Sequence, residues 1–391
     1  MLRLGASLGE RQHEISPPGR CASIRAVSAS PANRQLPQKI AVLPGDGIGP
    51  EVIAEALKVL EAAAAAWRLS LELDEKPWSA EHYLDTGETL PEGALEDLRE
   101  NYSAILIGAY GDPRVPDMRH AADILLGIRF GLDLYINFRP IRAYTENLNP
   151  LKSKSAGDID FVVFRENTEG AYVGVGGNFK KGTAAEVAVQ EEIHTRTGVD
   201  RILRAAFEYA RSRSLSKVCM ADKSNVMRFG HDLWQRAFAD ISQEYPDVEA
   251  SHLFVDALAM QMIRRPEQFE VIVTNNMFGD IITDLGAGLQ GGLGMAASAN
   301  LHPGRVSMFE PVHGSAPKYR GRGVANPMAA VLSVALMLSD LGHEAPAKAV
   351  ESAVRGALED GMTTPDLGGS CSTGEVGDRI AEVVATTVGA T

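Results

Sequence analysis

The stretch Lys39–Pro50, KIAVLPGDGIGP, runs from a short apolar strand through a glycine turn into a helix. Lys39–Pro44 supplies the strand, and Gly45, Gly47 and Gly49 allow the chain to turn sharply. Pro50 stands at the first helical position, where its missing N–H costs nothing. Beyond it Val52, Ile53, Ala56, Leu57, Val59, Leu60 and Ala63 recur with the helical period. Pro50 also occupies the place of the third glycine in the dinucleotide fingerprint GxGxxG, so a standard Rossmann fold is not supported. Further apolar runs read as buried strands at Tyr102–Gly108, Ile159–Arg165, Lys217–Met220 and Val271–Thr274. Helical patterns follow at Val199–Ser212, Arg228–Glu244, Pro327–Leu341 and Ala347–Leu358. This alternation predicts an α/β fold: a large mixed, mostly parallel sheet between helical layers. Gly174–Gly182, GVGGNFKKG, is not placed between a strand and a helix, and it reads as a hairpin or arm.

A chain of 391 residues is too long for one small core, so two lobes are expected. Apolar residues make up 45% and charged residues 23%, as in an ordinary globular enzyme. A formal net charge of −13 argues against nucleic acid or an anionic membrane as the main partner. Any anionic substrate must then be met by local arginines. Cys21, Cys219 and Cys371 are odd in number and widely spaced, which fits reduced thiols rather than a disulfide framework or a zinc site. No apolar run reaches the ~18–20 residues of a membrane span. Ala329–Leu338, bracketed by Pro327 and Asp340, reads as a buried helix. Residues 1–37 hold Arg3, Arg11, Arg20, Arg25 and Arg34 against Glu10 and Glu14, with no sustained apolar period. They are expected to be a disordered leader, read as an upstream start or, alternatively, an organellar transit peptide; a cytoplasmic location is the default.

The chemistry concentrates in Thr274–Asp284, TNNMFGDIITD, and Glu310–Pro327, EPVHGSAPKYRGRGVANP. Asp280 and Asp284 are four residues apart, which on a helix stacks both carboxylates on one face. Two adjacent carboxylates repel unless a cation lies between them, so the pair reads as a hard-metal site for Mg²⁺ or Mn²⁺. A solvated helix face is the alternative. Phe278, Ile281, Ile282 and Leu285 around the pair leave little room for one.

Seven motifs in order resemble the β-decarboxylating dehydrogenases of 2R-hydroxy acids, the isocitrate/isopropylmalate dehydrogenase family. They are LPGDGIGPEV at 43–52, RPIR at 139–142, FRENTEGAY at 164–172, ADKSNV at 221–226, VDALAM at 255–260, FGDIITD at 278–284 and EPVHGSAP at 310–317. The likeness covers everything from Lys39 to the C-terminal helix. It implies a two-lobed, three-layer fold, with residues 38–134 and 291–391 in the lobe that carries the cofactor loops. Residues 135–290 would form the second lobe, with the dimer interface and the arm.

The resemblance also implies roles. Arg129, Arg139 and Arg165 match carboxylate-binding arginines, whose planar forks pair bidentately with a carboxylate. Asp256, Asp280 and Asp284 match the metal ligands, Lys223 the general base and Tyr172 the proton donor. Asp256 also contacts substrate, and Asp256 and Lys223 would come from the neighbouring subunit of a homodimer with shared sites. Ile48, Asn225, Glu310, His313, Gly314, Ser315, Ala316, Lys318, Tyr319 and Asn326 match cofactor-binding positions. The substrate implied is a small dicarboxylate 2-hydroxy acid, oxidised and then decarboxylated.

Leu125 and Leu126 precede Arg129 where isocitrate enzymes carry small polar residues, usually Ser and Asn. A γ-carboxylate placed against Leu125 and Asp123 would be unpaired and repelled. A leucine pair suits a branched alkyl group instead, so 3-isopropylmalate is the first reading and a D-malate or tartrate-type substrate the second. Ala121-Ala122-Asp123 departs from the acidic residue and Ser/Thr that approach the nicotinamide in the family. NAD-dependent members place Asp where Lys318 stands, bonded to both ribose hydroxyls; Lys318-Tyr319 suits the 2′-phosphate of NADP. The cofactor is therefore read as NAD(P), the family default of NAD competing with this local chemistry. A catalytically dead regulatory subunit or a metabolite-sensing module would have lost part of this set, and none of it is missing.

Overall fold

In the computed structural model, which describes residues 37–387, the apolar strands assemble into one ten-stranded sheet. The strands are β1 (Gln38–Leu43), β2 (Leu71–Glu75), β3 (Ala104–Ile107), β4 (Ile136–Arg142), β5 (Asp160–Glu166), β6 (Gly176–Phe179), β7 (Val187–Gln190), β8 (Lys217–Asp222), β9 (Glu249–Phe254), β10 (Val271–Thr274), β11 (Ala297–Leu301) and β12 (Ser307–Pro311). Their order across the sheet is β2-β1-β3-β12-β11-β4-β5-β10-β8-β9, with β6 and β7 paired separately as a hairpin. The β12–β11, β11–β4 and β4–β5 pairings are antiparallel, and the rest of the large sheet is parallel. The expected mixed, mostly parallel sheet is what forms.

Helices cover both faces. They are α1 (Gly49–Trp67), α2 (Ala80–Thr86), α3 (Ala94–Asn101), α4 (Arg119–Gly131), α5 (Arg196–Ser212), α6 (Gly230–Ser242), α7 (Val255–Arg264), α8 (Asn276–Leu289), α9 (Met328–Asp340), α10 (Glu344–Glu359) and α11 (Thr373–Thr386). Strand side chains alternate between the two faces, as the period of two requires. Ile40, Val42, Leu106, Phe164, Met220 and Val273 enter the core beneath α1, α5, α6, α9, α10 and α11. Ala41, Leu43, Ile105 and Ile107 face α3 and α4 instead, and Phe161, Val163, Cys219 and Ile272 face α7 and α8. Every residue of α9 is buried, which accounts for its apolar run. Among the described residues no helix is long and apolar enough to cross a membrane, and Cys219 and Cys371 are free thiols. Cys21 and residues 1–36 lie outside the described residues.

The opening glycines serve backbone packing. A Cβ on Gly47, whose φ is +59°, would stand 2.0 Å from the Ser315 carbonyl oxygen. One on Gly45 would stand 2.3 Å from the carbonyl oxygen of Ala109. With no side chain there, Ile48 N–H can donate to Ser315 O at 2.8 Å, which seats the His313–Pro317 loop on the first turn of α1. Asp46 between them is buried and accepts from Ala80 N–H at 2.7 Å and Gly111 N–H at 2.9 Å, with His120 Nε2 at 2.8 Å. The parallel strands β5, β10, β8 and β9 all end at the same edge of the sheet. Arg165, the start of α8, Lys223 and the start of α7 therefore gather along that edge.

Candidate active site

Asn275 caps α8, its side-chain oxygen accepting Phe278 N–H at 2.9 Å, and so fixes where the helix begins. Asp280 and Asp284 follow one turn apart on that helix, as their spacing predicts. Ile281 is 61% exposed beside them, which corrects the expectation that it helps close off a polar face. Arg165 comes from the end of β5 and is 1% exposed. Its Nε and Nη2 donate to Asn276 Oδ1 at 2.9 and 2.7 Å, and Nη1 pairs with Asp280. Arg139 lies in the middle of β4, not at a strand end, because the antiparallel ladder with β5 continues to Arg142. It donates to the Thr283 hydroxyl at 2.6 Å and lies 3.7 Å from Asp280 Oδ1. Tyr172, just beyond Gly170, donates its O–H to Asp280 Oδ2 at 2.9 Å.

These contacts set the charges. Burial raises the Asp280 carboxyl, but Arg165 and Arg139 outweigh it and hold it below the usual range. Asp284 is raised, by burial first and then by Asp280 beside it. Burial draws Arg139 down to about 10, helped by Arg165, and it stays charged at neutral pH. Burial and Asp280 raise the Tyr172 phenol, which therefore keeps its proton at neutral pH. Arg129, on the last turn of α4, pairs with Glu310 at 2.6 Å, and Asn300 donates to the same carboxylate oxygen at 2.8 Å. Burial pushes Glu310 up, yet Arg129, Asn300 and Arg139 bring it below its ordinary value. Leu125 packs partly on the core beneath α4, and Leu126 is half-buried one turn before Arg129.

Lys223 follows β8 directly, and its Nζ lies 2.5 Å from Oδ1 of Asp256, an exposed residue in the first turn of α7. The lysine pairing holds the Asp256 carboxyl low. Asn225 is exposed in the same turn and is not part of the cleft lined by other expected cofactor residues. Ile48, His313, Ala316, Tyr319 and Asn326 instead line one cleft of about 380 Å³, together with Gly294 and Asp366. Lys318 is exposed, with Nζ 4.8 Å from the ring centroid of cleft-lining Tyr319, while Arg322 lies 5.5 Å from that ring. Gly314 is exposed, and Ser315 is buried against Gly47.

The donor set fits a hard divalent cation. Asp284 carries no hydrogen bond or ion pair among the described residues, and its raised carboxyl marks negative charge in need of compensation. Asp280 offers oxygen of the kind Mg²⁺ and Mn²⁺ prefer. Sequence reasoning missed Asn276 and Thr283, which seat the arginines from α8, and the Asn137–Asn300 pair at 2.9 Å beneath Glu310. The motif NNMFGDIITD contained the first two. Only the fold brings Asn137 to Asn300.

The profile described as "Isocitrate/isopropylmalate dehydrogenase" matches residues 39–380. The chain belongs to the isocitrate/isopropylmalate dehydrogenase family. It is 47% identical over 349 residues to a 3-isopropylmalate dehydrogenase of Thermobifida fusca, covering 89% of this chain and 98% of the relative. A 3-isopropylmalate dehydrogenase of Corynebacterium jeikeium is 48% identical over 345 residues, 88% of this chain and 98% of its own. Among solved structures, an isocitrate dehydrogenase from Methylococcus capsulatus superposes with a TM-score of 0.80 at 36% identity, covering 89% of this chain and 99% of that one. The mixed ten-stranded sheet, not a Rossmann sheet, is the fold that superposes on that isocitrate dehydrogenase.

Proposed function

We propose that the chain oxidises and decarboxylates 3-isopropylmalate to 4-methyl-2-oxopentanoate, a step of leucine biosynthesis, using NAD(P) and a divalent metal. The observation that carries this reading is the gathering of three arginines, a tyrosine and two aspartates around α8, in a chain 47% identical to a 3-isopropylmalate dehydrogenase. Arg129, Arg139 and Arg165 would take the substrate carboxylates. Each now rests on a protein carboxylate or hydroxyl that a substrate could replace. Asp280 and Asp284, with Asp256 of a second copy, would hold Mg²⁺ or Mn²⁺, and such a cation would supply Lewis-acid polarisation of the substrate oxygen at C2. Lys223, in its neutral amine form, would take the C2 hydroxyl proton as general base, and Tyr172 would return a proton at C3. Leu125 and Leu126 would offer the isopropyl group an apolar wall.

The second copy is part of the proposal. Val226, Phe229, Met260 and Ile281 are exposed around the Lys223 turn, α7 and α8, as are Phe179, Val187 and Val189 on the arm. Exposed apolar side chains gathered there suit an association face, and pairing through it would bring Lys223 and Asp256 to the partner's aspartates. The cytoplasm is the proposed location. Assaying the purified protein with Mn²⁺ against 3-isopropylmalate, D-malate, tartrate and isocitrate tests the substrate. The expected kcat/KM order puts 3-isopropylmalate first, by about 1–3 kcal/mol per methylene equivalent over D-malate. A higher value for D-malate or tartrate would give the site to that smaller substrate.

Lys318 and Tyr319 bear on the cofactor. A 2′-phosphate on Lys318 gains a charge-assisted hydrogen bond worth roughly 1.5–3 kcal/mol that NAD cannot make. Residues Pro365–Glu375 lack the Tyr and Arg that complete a phosphate clamp, so measurable use of NADP without exclusion of NAD is expected. Lys318→Asp should shift the kcat/KM ratio toward NAD by about tenfold or more, since aspartate repels the phosphate and bonds free ribose hydroxyls. Wild-type protein inert with NADP, and an unchanged NAD KM in the variant, would place Lys318 in solvent and leave a plain NAD enzyme.

A further inference from the structure

Glu192, His194 and His231 form a cluster that none of the roles above uses. Glu192 and His194 lie where the arm returns to α5, and His231 is in the first turn of α6. Their side chains are 12%, 2% and 1% exposed. His194 Nε2 lies 3.1 Å from Glu192 Oε1, and His231 Nε2 lies 3.7 Å from Oε2. Gly230 permits this approach, because a Cβ there would stand 2.8 Å from His194 Cδ2.

Two imidazoles and a carboxylate within 4.8 Å of one another have the spacing of a zinc site. The far nitrogens decide against it. Lys223 backbone N–H donates to His231 Nδ1 at 2.7 Å, and the Trp234 indole N–H donates to His194 Nδ1 at 3.2 Å. A nitrogen that accepts carries no proton, so each neutral ring bears its proton on Nε2, where a metal would have to bind. Both Nε2–H groups face Glu192 instead. The Asn275 amide nitrogen, 3.2 Å from His231 Nε2, is a donor as well, and it reaches Glu192 Oε1 at 2.9 Å. The carboxylate thus accepts from Asn275 and is the anion that both imidazole Nε2 atoms face, at 3.1 and 3.7 Å. Burial alone would raise Glu192, but the two imidazoles hold it at about 2, so it is an anion at any working pH.

The cluster therefore joins three segments: the root of the arm, the cap of α8, and the turn that bears Lys223. β8 ends at Asp222, so the Lys223 N–H has no ladder partner and His231 supplies one. We propose that Glu192, His194 and His231 are positioning residues that orient the Lys223 turn for proton transfer. The proposal rests on the reading of Lys223 as the base. Glu192 places a buried carboxylate 3.7 Å from Nε2 of the His231 ring, and Nδ1 of that ring holds the point at which the chain leaves β8. A displacement of ~1 Å in a reacting group can cost on the order of a hundredfold in rate, so a loosened turn is visible in kcat.

The test compares His231→Leu, His231→Asn and Glu192→Gln in the full-length protein with Mn²⁺, 3-isopropylmalate and NAD. Asparagine can place Oδ1 where Nδ1 stood and still accept the Lys223 N–H; leucine cannot. His231→Leu and Glu192→Gln should lower kcat per folded protein by about tenfold or more, with the KM values of substrate and Mn²⁺ within about twofold. His231→Asn should recover most of that loss. A purely structural role predicts a lower melting temperature with kcat per folded protein unchanged in all three, and that result would overturn the proposal. So would His231→Asn as slow as His231→Leu, or stoichiometric Zn²⁺ bound by wild type and lost in Glu192→Gln. Lys223→Ala separates the two levels. If it is inactive while His231→Leu matches wild type, the positioning role alone is wrong; if it keeps wild-type kcat, the base assignment fails and the positioning role with it.

Discussion

In Asp280→Asn, kcat falls by about a hundredfold or more, roughly 3 kcal/mol of transition-state stabilisation, and the Mn²⁺ concentration for half-maximal activity rises. The substitution changes shape little and removes one negative charge. That charge is committed to Arg165, to Arg139 at 3.7 Å and to the Tyr172 hydroxyl at 2.9 Å. A cation bound between Asp280 and Asp284 would compete for it, which frees the guanidinium donors for a substrate carboxylate. Asparagine weakens both partners of that exchange, so the metal and the substrate should each bind less well. Arg165 retains two hydrogen bonds to Asn276 at 2.9 and 2.7 Å, so the fold should survive, as circular dichroism would verify. Wild-type turnover in EDTA, or an Asp280→Asn enzyme with unaltered kcat and metal dependence, would refute the metal assignment.

The exchange of partners also marks where sequence reading stops. Strands β1, β3, β5 and β10 were legible because their apolar residues form unbroken runs. Strand β4, INFRPIR, was not read as a central strand, since Asn137, Arg139 and Arg142 within it are polar yet buried. Their partners are far along the chain: Thr283 for Arg139, Glu351 at 3.6 Å for Arg142, and Ser298 and Asn300 for Asn137. Buried polar groups need partners, and no local pattern announces a partner 140 or more residues away. Strand β9, EASHLF, is an edge with three exposed residues and no apolar run. Asp280 and Asp284 were legible because one helical turn is a local spacing. The Arg129–Glu310 pair and the Glu192 cluster were not, since each joins segments that meet only through the sheet.

Lys223→Ala is expected to reduce kcat by about 10²–10⁴, the range usual for a positioned acid or base. The geometry gives the reason. Lys223 leaves β8 at the sheet edge where β5 and β10 also end, beside the start of α8. Its Nζ lies 2.5 Å from Asp256, so the pair would travel together into the partner's site: the carboxylate toward the cation, the lysine toward the hydroxyl that loses its proton. Alanine removes the amine that, when neutral, would accept the proton, and also the ammonium that, when protonated, balances Asp256. Two measurements separate these effects. A small primary amine added to Lys223→Ala should restore part of kcat if the lost function is proton acceptance, with a rate that rises with amine concentration. Lys223→Arg, which keeps the charge beside Asp256 but cannot give up its proton, should remain nearly as slow as Lys223→Ala. An active Lys223→Arg enzyme would reduce Lys223 to an electrostatic partner of Asp256 and require another base. The arginine variant decides the assignment, because it changes the acid–base chemistry and leaves the charge in place.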